Sequence, residues 1–258
     1  MIIRKSLQEI DGMARAGELV AETIALVGEH IQPGITTGEL DRLADEFIAA
    51  HGGVPTSKGY RGFPAATCIS PNSMVVHGIP GQHRVEEGDL ISVDVGITLD
   101  GLIADSAYTF AVGDISAEAR RLLEVCEEAR DAGIVEARPG HHVGDISHAV
   151  QSVVEAAGFS VVRSLVGHGV GRSYHEEPQV PNFGEPGRGA GLHTGMTLAI
   201  EPMITAGGAD VYLHEDDWSI STQDGSLAAH FEHTVAILED GPRILTLAKT
   251  PAKAGLVP

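Results

Sequence analysis

The 258-residue sequence predicts an α+β fold of two halves related by a pseudo-two-fold axis, and two observations carry that expectation. Sliding the chain on itself by 106 residues aligns Pro33-Gly34-Ile35-Thr36-Thr37-Gly38-Glu39-Leu40 with Pro139-Gly140-His141-His142-Val143-Gly144-Asp145-Ile146. A slide of 107 aligns Gly88–Asp94 with Gly195–Glu201, in each case a glycine turn followed by a β-rich run that ends in a carboxylate.

Along the chain, helical periodicity covers about 7–30, and its counterpart covers about 117–136. Thr36 with Glu39 three residues on forms a capping-box pattern, which satisfies the exposed amides at a helix start. Leu40, Leu43, Ala44, Phe47 and Ile48 then make one apolar helical stripe. Ile146, Ala149, Val150, Val153 and Val154 repeat it at the same offset. Gly52 and Gly158 stop the two helices. In the strand Leu90–Gly96, alternation turns Ser92 and Asp94 to one face, which on sequence alone reads as solvated. One domain spanning 1–258 is expected, with halves at roughly 1–112 and 113–258.

Composition narrows the function. Thirty-six acidic against seventeen basic residues give a formal charge of −19, which opposes non-specific attraction to nucleic acid or anionic lipid, and no nucleic-acid site is evident. Cys68 and Cys126 lie far apart without CxxC spacing, which excludes a cysteine zinc cluster and gives no sign of a disulfide framework. The N-terminus turns polar at once, and no stretch approaches the ~18 apolar residues of a membrane span, so a cytoplasmic protein is expected.

Asp94, Asp105, Glu201 and Glu232, each taken alone, read as surface acids. Together they lie on strand-like, apolar-flanked segments, two of them at equivalent places in the repeat, and a pseudo-two-fold axis would bring Asp94 and Glu201 together. Four carboxylates converging in a sparsely hydrated core require cations between them, and two divalent ions balance the charge. A histidine would complete such a set. His168, between Gly167 and Gly169, is the best supplier, since the glycines let the backbone bring an imidazole close to a crowded centre. His175 and His77 are further candidates, although most of the thirteen histidines must be incidental.

VVHGIP (75–80), GHGVGRSYHEEPQV (167–180), MTLAIEPM (196–203) and FEHTV (231–235), with two aspartates eleven residues apart, occur in the order and spacing of one family. On those segments the chain resembles, over essentially its whole length, the type I methionine aminopeptidases of short bacterial form, which have the pita-bread fold. The resemblance implies antiparallel sheet inside, helices outside, and removal of the initiator methionine from nascent proteins by two-metal-assisted hydrolysis. It makes Asp94, Asp105, His168, Glu201 and Glu232 the ligands of two divalent ions (Co, Mn, Fe(II) or Zn), with Asp105 and Glu232 bridging. Glu201 becomes the proton carrier as well, with His77 and His175 as catalytic histidines that also contact substrate. Tyr60, Phe63, Cys68, Tyr174 and Trp218 are implied as the lining of the methionine pocket. The implied partners are N-terminal Met peptides and nascent chains, with ribosome association open and a monomer expected.

Four positions depart from the family pattern. Gly96 stands where many relatives carry threonine, Ala104 often corresponds to glycine, Val76 replaces a cysteine and Arg61 a histidine. They bear on metal affinity and fine specificity rather than on reaction class. A prolidase or Xaa-Pro aminopeptidase is the nearest alternative, disfavoured because those enzymes carry a substantial N-terminal domain. The type II methionine enzymes carry a helical insertion not found here. A non-enzymatic binding protein of the same fold would not require this acid and histidine set.

Overall fold

The computed structural model describes residues 2–247. Four helices, α1 (Leu7–His30), α2 (Thr37–Ala50), α3 (Ala117–Glu136) and α4 (Val143–Ala156), lie where the periodicity puts them. Ser6 caps α1 and Thr36 caps α2, each in a reciprocal box with a glutamate three residues on, Glu9 and Glu39. None of the described helices is long and apolar enough to cross a membrane.

The duplication extends to individual backbone hydrogen bonds. Gly34 N–H donates to Val85 O and Gly140 N–H to Leu192 O; Thr37 donates to His83 O and Val143 to Ala190 O; Gly38 donates to Gly81 O and Gly144 to Arg188 O. Isolated antiparallel bridges join Thr36 to Arg84 and His142 to Gly191. Both copies thus clamp the entry of their second helix onto the segment that leads into a central strand. In the second copy His142 stands in the place of Thr36, and Asp145, the counterpart of Glu39, keeps its half of the box: its carboxylate accepts from His142 N–H at 2.7 Å. Gly52 and Gly158 follow the two helices with φ of +76° and +84°.

All strand pairs among the described residues are antiparallel. In the first half, Leu90–Leu99 pairs with Val54–Pro55, Cys68–Pro71 and Leu102–Ala111. In the second, the order runs Gly241–Ile244, His233–Leu238, Thr197–Ile200, Val166–Gly169, Glu176–Pro181. Helices cover the outer faces. Leu19, Val20, Leu40, Ala44 and Ile48 pack on Ile91, Val93, Val95 and Ile97, while Ile134 and Ile146 pack on Leu198, Ile200 and Val235. The sheets therefore lie inside the helices, as the family resemblance implies.

The face of Leu90–Leu99 that carries Ser92 and Asp94 is not solvated, contrary to the expectation from alternation. Its phase is right, but the second half of the molecule covers it. Ser92 is 3% exposed and its hydroxyl meets Thr109 Oγ1 at 2.8 Å. Thr109 in turn donates to His230 O, and Ser106 Oγ to Glu232 O. A row of hydroxyls thus replaces water between the halves and satisfies strand carbonyls that would otherwise be orphaned.

Candidate metal centre and active site

Two antiparallel ribbons deliver the four acids. The first is the hairpin Leu90–Ala111, whose two-residue loop, Asp100-Gly101, has φ of +52° and +78°. That is the positive-φ pair of a tight hairpin turn. In this register Asp94 faces Ala107 and Asp105 faces Gly96, so the two aspartates are diagonal neighbours on one face, close enough to interact. Their eleven-residue spacing follows from the loop length.

The second ribbon pairs Ile200 with His233 and, on the far side of a gap, Met203 with His230. The two ladders share one register, which places Glu201 opposite Glu232 in the gap. Pro202 has no N–H to offer the ladder there. Glu232 N–H turns instead to Ala107 O at 2.9 Å, and Asp105 N–H to Thr234 Oγ1 at 2.9 Å, which binds this ribbon to the first. Asp94 and Asp105 therefore sit within strands, whereas Glu201 and Glu232 sit at the break between strands, a correction to the strand-like reading of all four.

His168 enters from Val166–Gly169. A Cβ on Gly167 would lie 2.4 Å from Ala199 O, and one on Gly169 2.4 Å from Glu177 O, so only glycines allow the strand this close to its neighbours. His168 Nδ1 is 2.9 Å from its neighbour's carbonyl, Gly169 O, and donates to it. Nε2 is then a bare lone pair, 3.5 Å from Glu201 Oε1 and 3.9 Å from Asp105 Oδ2. Ligand atoms of Asp105, His168 and Glu232 lie within 4.8 Å of one another. Asp94 adjoins them as the diagonal neighbour of Asp105.

The electrostatics of this cluster call for a cation. Burial pushes the Asp94 carboxyl up to about 7; burial and the neighbouring acids push Asp105, Glu201 and Glu232 well above the carboxylate range. Burial, outweighing the Gly169 hydrogen bond, holds His168 down to about 4, so it stays a neutral donor. Asp94 Oδ1, Asp105 Oδ1, Glu201 Oε1 and Glu232 Oε1 are buried without a hydrogen-bond partner. Orphaned carboxylate oxygens around a neutral imidazole with its Nδ1 tethered are the donor set of hard to borderline divalent ions, so the residues fit such a site.

Above the acids lies a cavity of about 270 Å³ lined by Tyr60, Phe63, Cys68, His77, Tyr174, His175 and Trp218, the pocket residues expected from sequence, together with all five cluster residues. Its size, just under the roughly 300–1,000 Å³ of small-molecule pockets, suits one side chain rather than a whole peptide. Phe63 and Trp218 meet edge-on with centroids 5.1 Å apart, and Cys68, directly opposite Asp94 in the ladder, is 6% exposed. His77 follows its strand at φ +57°, a conformation that turns the imidazole into the cavity, where burial lowers its pKa. His175 Nδ1 lies 3.0 Å from Tyr60 Oη, and its ring is 4.2 Å from that of His168.

The departures find places here. Val76 lines the cavity and Ala104 packs in the core beneath α1 and α2. Arg61, at φ +50°, lies with its guanidinium 5.4 Å from the Tyr60 ring centroid, at the cavity edge. A Cβ on Gly96 would stand 2.6 Å from Tyr174 Oη and 2.7 Å from the ring, so Tyr174 fills the space that a residue-96 side chain would need. Gly96→Ala should accordingly cost about 1–3 kcal/mol as overpacking. Adding Tyr174→Phe should recover only part of this, because the ring atoms remain; urea unfolding of both variants checks the pair.

Arg172–His175 is tied down from below. Glu176 Oε1 accepts from Arg172 N–H at 2.7 Å and Ser173 N–H at 3.1 Å, and its other oxygen pairs with Lys5, the two side chains being 3% and 1% exposed. Burial lowers the Lys5 pKa, against the Glu176 hydrogen bond that raises it. Lys5→Met should destabilise by about 2–3 kcal/mol, less than the ~3–5 usual for a broken buried pair because two amides still hold Glu176. Lys5→Met/Glu176→Gln should recover part of that loss in the same urea titration.

His230, which sequence reasoning does not single out, is 1% exposed and lines the cavity, as do Ser57, Leu165 and Met203. The signal for His230 was its two-residue spacing from Glu232, which on a strand returns to the same face.

Comparison with known proteins agrees with this geometry. The metallopeptidase family M24 matches residues 11–239. A methionine aminopeptidase of Clostridium perfringens is 53% identical over 249 residues, 96% of this chain and 100% of that protein. The crystal structure of a methionine aminopeptidase from Thermotoga maritima superposes with a TM-score of 0.94 at 46% identity, over 95% of this chain and 99% of that one. A prolidase from Pyrococcus furiosus shares the fold at 24% identity and a TM-score of 0.76, but this chain spans only 66% of its length. With its buried acids, its tethered imidazole and a family match over most of its length, the chain belongs to metallopeptidase family M24.

Proposed function

We propose that the chain removes the N-terminal methionine from peptides and nascent proteins by hydrolysis assisted by two divalent ions, with a small second residue preferred. The observation that carries this reading is the convergence of four buried carboxylates on the bare Nε2 of His168 at the floor of a one-residue cavity. Relatives about half identical over nearly the whole chain bear the name methionine aminopeptidase. The prolidase of Pyrococcus furiosus is only 24% identical, so the Xaa-Pro alternative has less support.

Asp94, Asp105, His168, Glu201 and Glu232 would hold the ions, with Co, Mn, Fe(II) and Zn all compatible with the donors. When bound, such ions lower the pKa of a water and offset charge on the tetrahedral intermediate. The residues do the rest. The acidic floor favours a free amino terminus, which restricts cleavage to the first peptide bond. Phe63, Cys68, Trp218, Tyr60 and Tyr174 offer the thioether an apolar, polarisable lining. Glu201, whose burial raises its proton affinity, takes the proton of the attacking water and passes it to the leaving amine. His77, neutral and fixed by its backbone, holds the scissile amide, and His175 donates to the carbonyl oxygen. We assign the enzyme to the cytosol, where nascent chains are met.

The test is methionine release from Met-Ala-Ser, from Met followed by a large residue, and from Xaa-Pro peptides without methionine. Met-Ala-Ser is expected to be cleaved fastest, and faster cleavage of Xaa-Pro peptides would overturn the assignment.

A further inference from the structure

His230 is a buried imidazole in the wall of the cavity, with no part in the mechanism above. Neither ring nitrogen has a hydrogen-bond partner. Its position follows from the second ribbon: Met203 faces His230 across the ladder and Glu201 faces Glu232, so Glu201 and His230 are diagonal neighbours. Nε2 lies 3.8 Å from Glu201 Oε2, while Glu201 Oε1 points to His168.

Both backbones are held. Thr109 Oγ1 donates to His230 O at 2.8 Å and accepts from His230 N–H at 3.0 Å, and Asn182 Nδ2 donates to Glu201 O at 3.1 Å. With both Cα positions fixed and the ring buried, a movement of about 1 Å by the carboxylate brings the two atoms to hydrogen-bond distance. An unmade hydrogen bond on a buried donor costs ~1–3 kcal/mol, which drives that closure.

We propose that His230 is a positioning residue for Glu201: its neutral Nε2–H hydrogen-bonds Glu201 Oε2, turns Oε1 toward His168, and so sets the affinity of the five-residue cluster for divalent ions. This inference rests on the metal reading of that cluster. His230 acts through Glu201 and is not itself a ligand; Asp105, His168 and Glu232 form the compact group without it. Groups that hydrogen-bond a ligating side chain in this way typically change metal affinity ~10–100-fold when removed.

The experiment measures Mn(II) and Co(II) dissociation constants of the metal-stripped full-length chain by competition with a chelator, alongside melting temperatures. His230→Leu keeps bulk and loses the donor, and His230→Gln restores an N–H. The expected result is a 10–100-fold weaker affinity in His230→Leu, recovered in His230→Gln, with the two variants melting alike. Unchanged affinity in folded His230→Leu would overturn the proposal, as would equal loss in both variants. If His230→Leu fails to fold, His230→Gln against His230→Met decides by the same criterion. A wild-type chain that takes up neither ion would instead overturn the parent metal reading, and this inference with it.

Discussion

Stripping divalent ions with a chelator should abolish methionine release, and adding back Mn(II), Co(II), Fe(II) or Zn(II) should restore it without a refolding step. The scaffold of two ribbons is held by backbone pairing, the hydroxyl row and packed helices, none of which uses an ion. What the ions offset is the cost of burying four acids and, after it, the repulsion among them, and that gives the stripped protein a distinctive pH dependence. In the unfolded chain those carboxyls titrate near ~4. In the folded, ion-free chain Asp94 is pushed up to about 7 and Asp105, Glu201 and Glu232 are pushed up as well. Between those limits the folded state binds more protons than the unfolded one, so stability falls as pH rises. Histidines act in the opposite sense. His168 is held near 4 and His175, His230 and His233 near 3. The folded state therefore binds fewer protons there than the unfolded chain, and stability from this source rises until ~6.5, where unfolded histidine has lost its proton. Above ~6.5 only the carboxyl trend remains. The melting temperature of the stripped protein should drop from pH 6.5 to 8, whereas that of the loaded protein should stay nearly flat. Full activity in protein verified to be free of metal, or parallel melting curves for both forms, would remove the ions from the account.

The helices and the duplication were legible because they depend on local pattern. Thr36 and Glu39 three apart, the Leu40 to Ile48 stripe and the glycines at 52 and 158 each act within a turn or two of the chain. The residues of the buried acid and histidine cluster were legible through long motifs rather than through periodicity. Alternation placed Asp94 on the correct face of its strand and assigned that face to water, because nothing local records that the other half of the molecule covers it. Glu201 and Glu232 read as lying on strand-like segments, Glu201 at the end of its run. Their meeting depends on a shared register across Pro202, which joins segments thirty residues apart in sequence. The Asp100-Gly101 loop, by contrast, is a readable hairpin signal, and from it the diagonal placement of Asp94 and Asp105 follows. Gly96 was readable only as a departure from the family. Its reason, the Tyr174 ring, lies 78 residues away.

Replacing His175 by alanine should lower kcat by about 10²–10³-fold while leaving metal content and the melting temperature near those of the parent. His175 sits at the cavity mouth, not in the acid cluster, and among the described residues its side chain hydrogen-bonds Tyr60, with Nδ1 3.0 Å from Tyr60 Oη. Partial burial, then repulsion from His168, Arg61 and His77, holds its pKa near 3, so it is a neutral imidazole at working pH. A neutral ring carries one proton. If the Tyr60 hydroxyl donates to Nδ1, that proton is on Nε2 and is available to a substrate carbonyl oxygen; Tyr60 thus selects the useful tautomer. The hydrogen bond strengthens as negative charge grows on that oxygen, so its loss falls on kcat more than on KM. Tyr60→Phe should then lower kcat by less than His175→Ala, because it removes only the bias between tautomers. In the double variant the tyrosine change should have little further effect, since the ring it orients is gone. Were His175 only packing against Tyr60 and Tyr174, whose ring centroids lie 5.2 and 4.8 Å from its own, alanine would lower the melting temperature and spare kcat. Metal content, melting temperature and kcat measured on one preparation of each variant separate the two roles, and a normal kcat in folded His175→Ala would remove this residue from the chemistry.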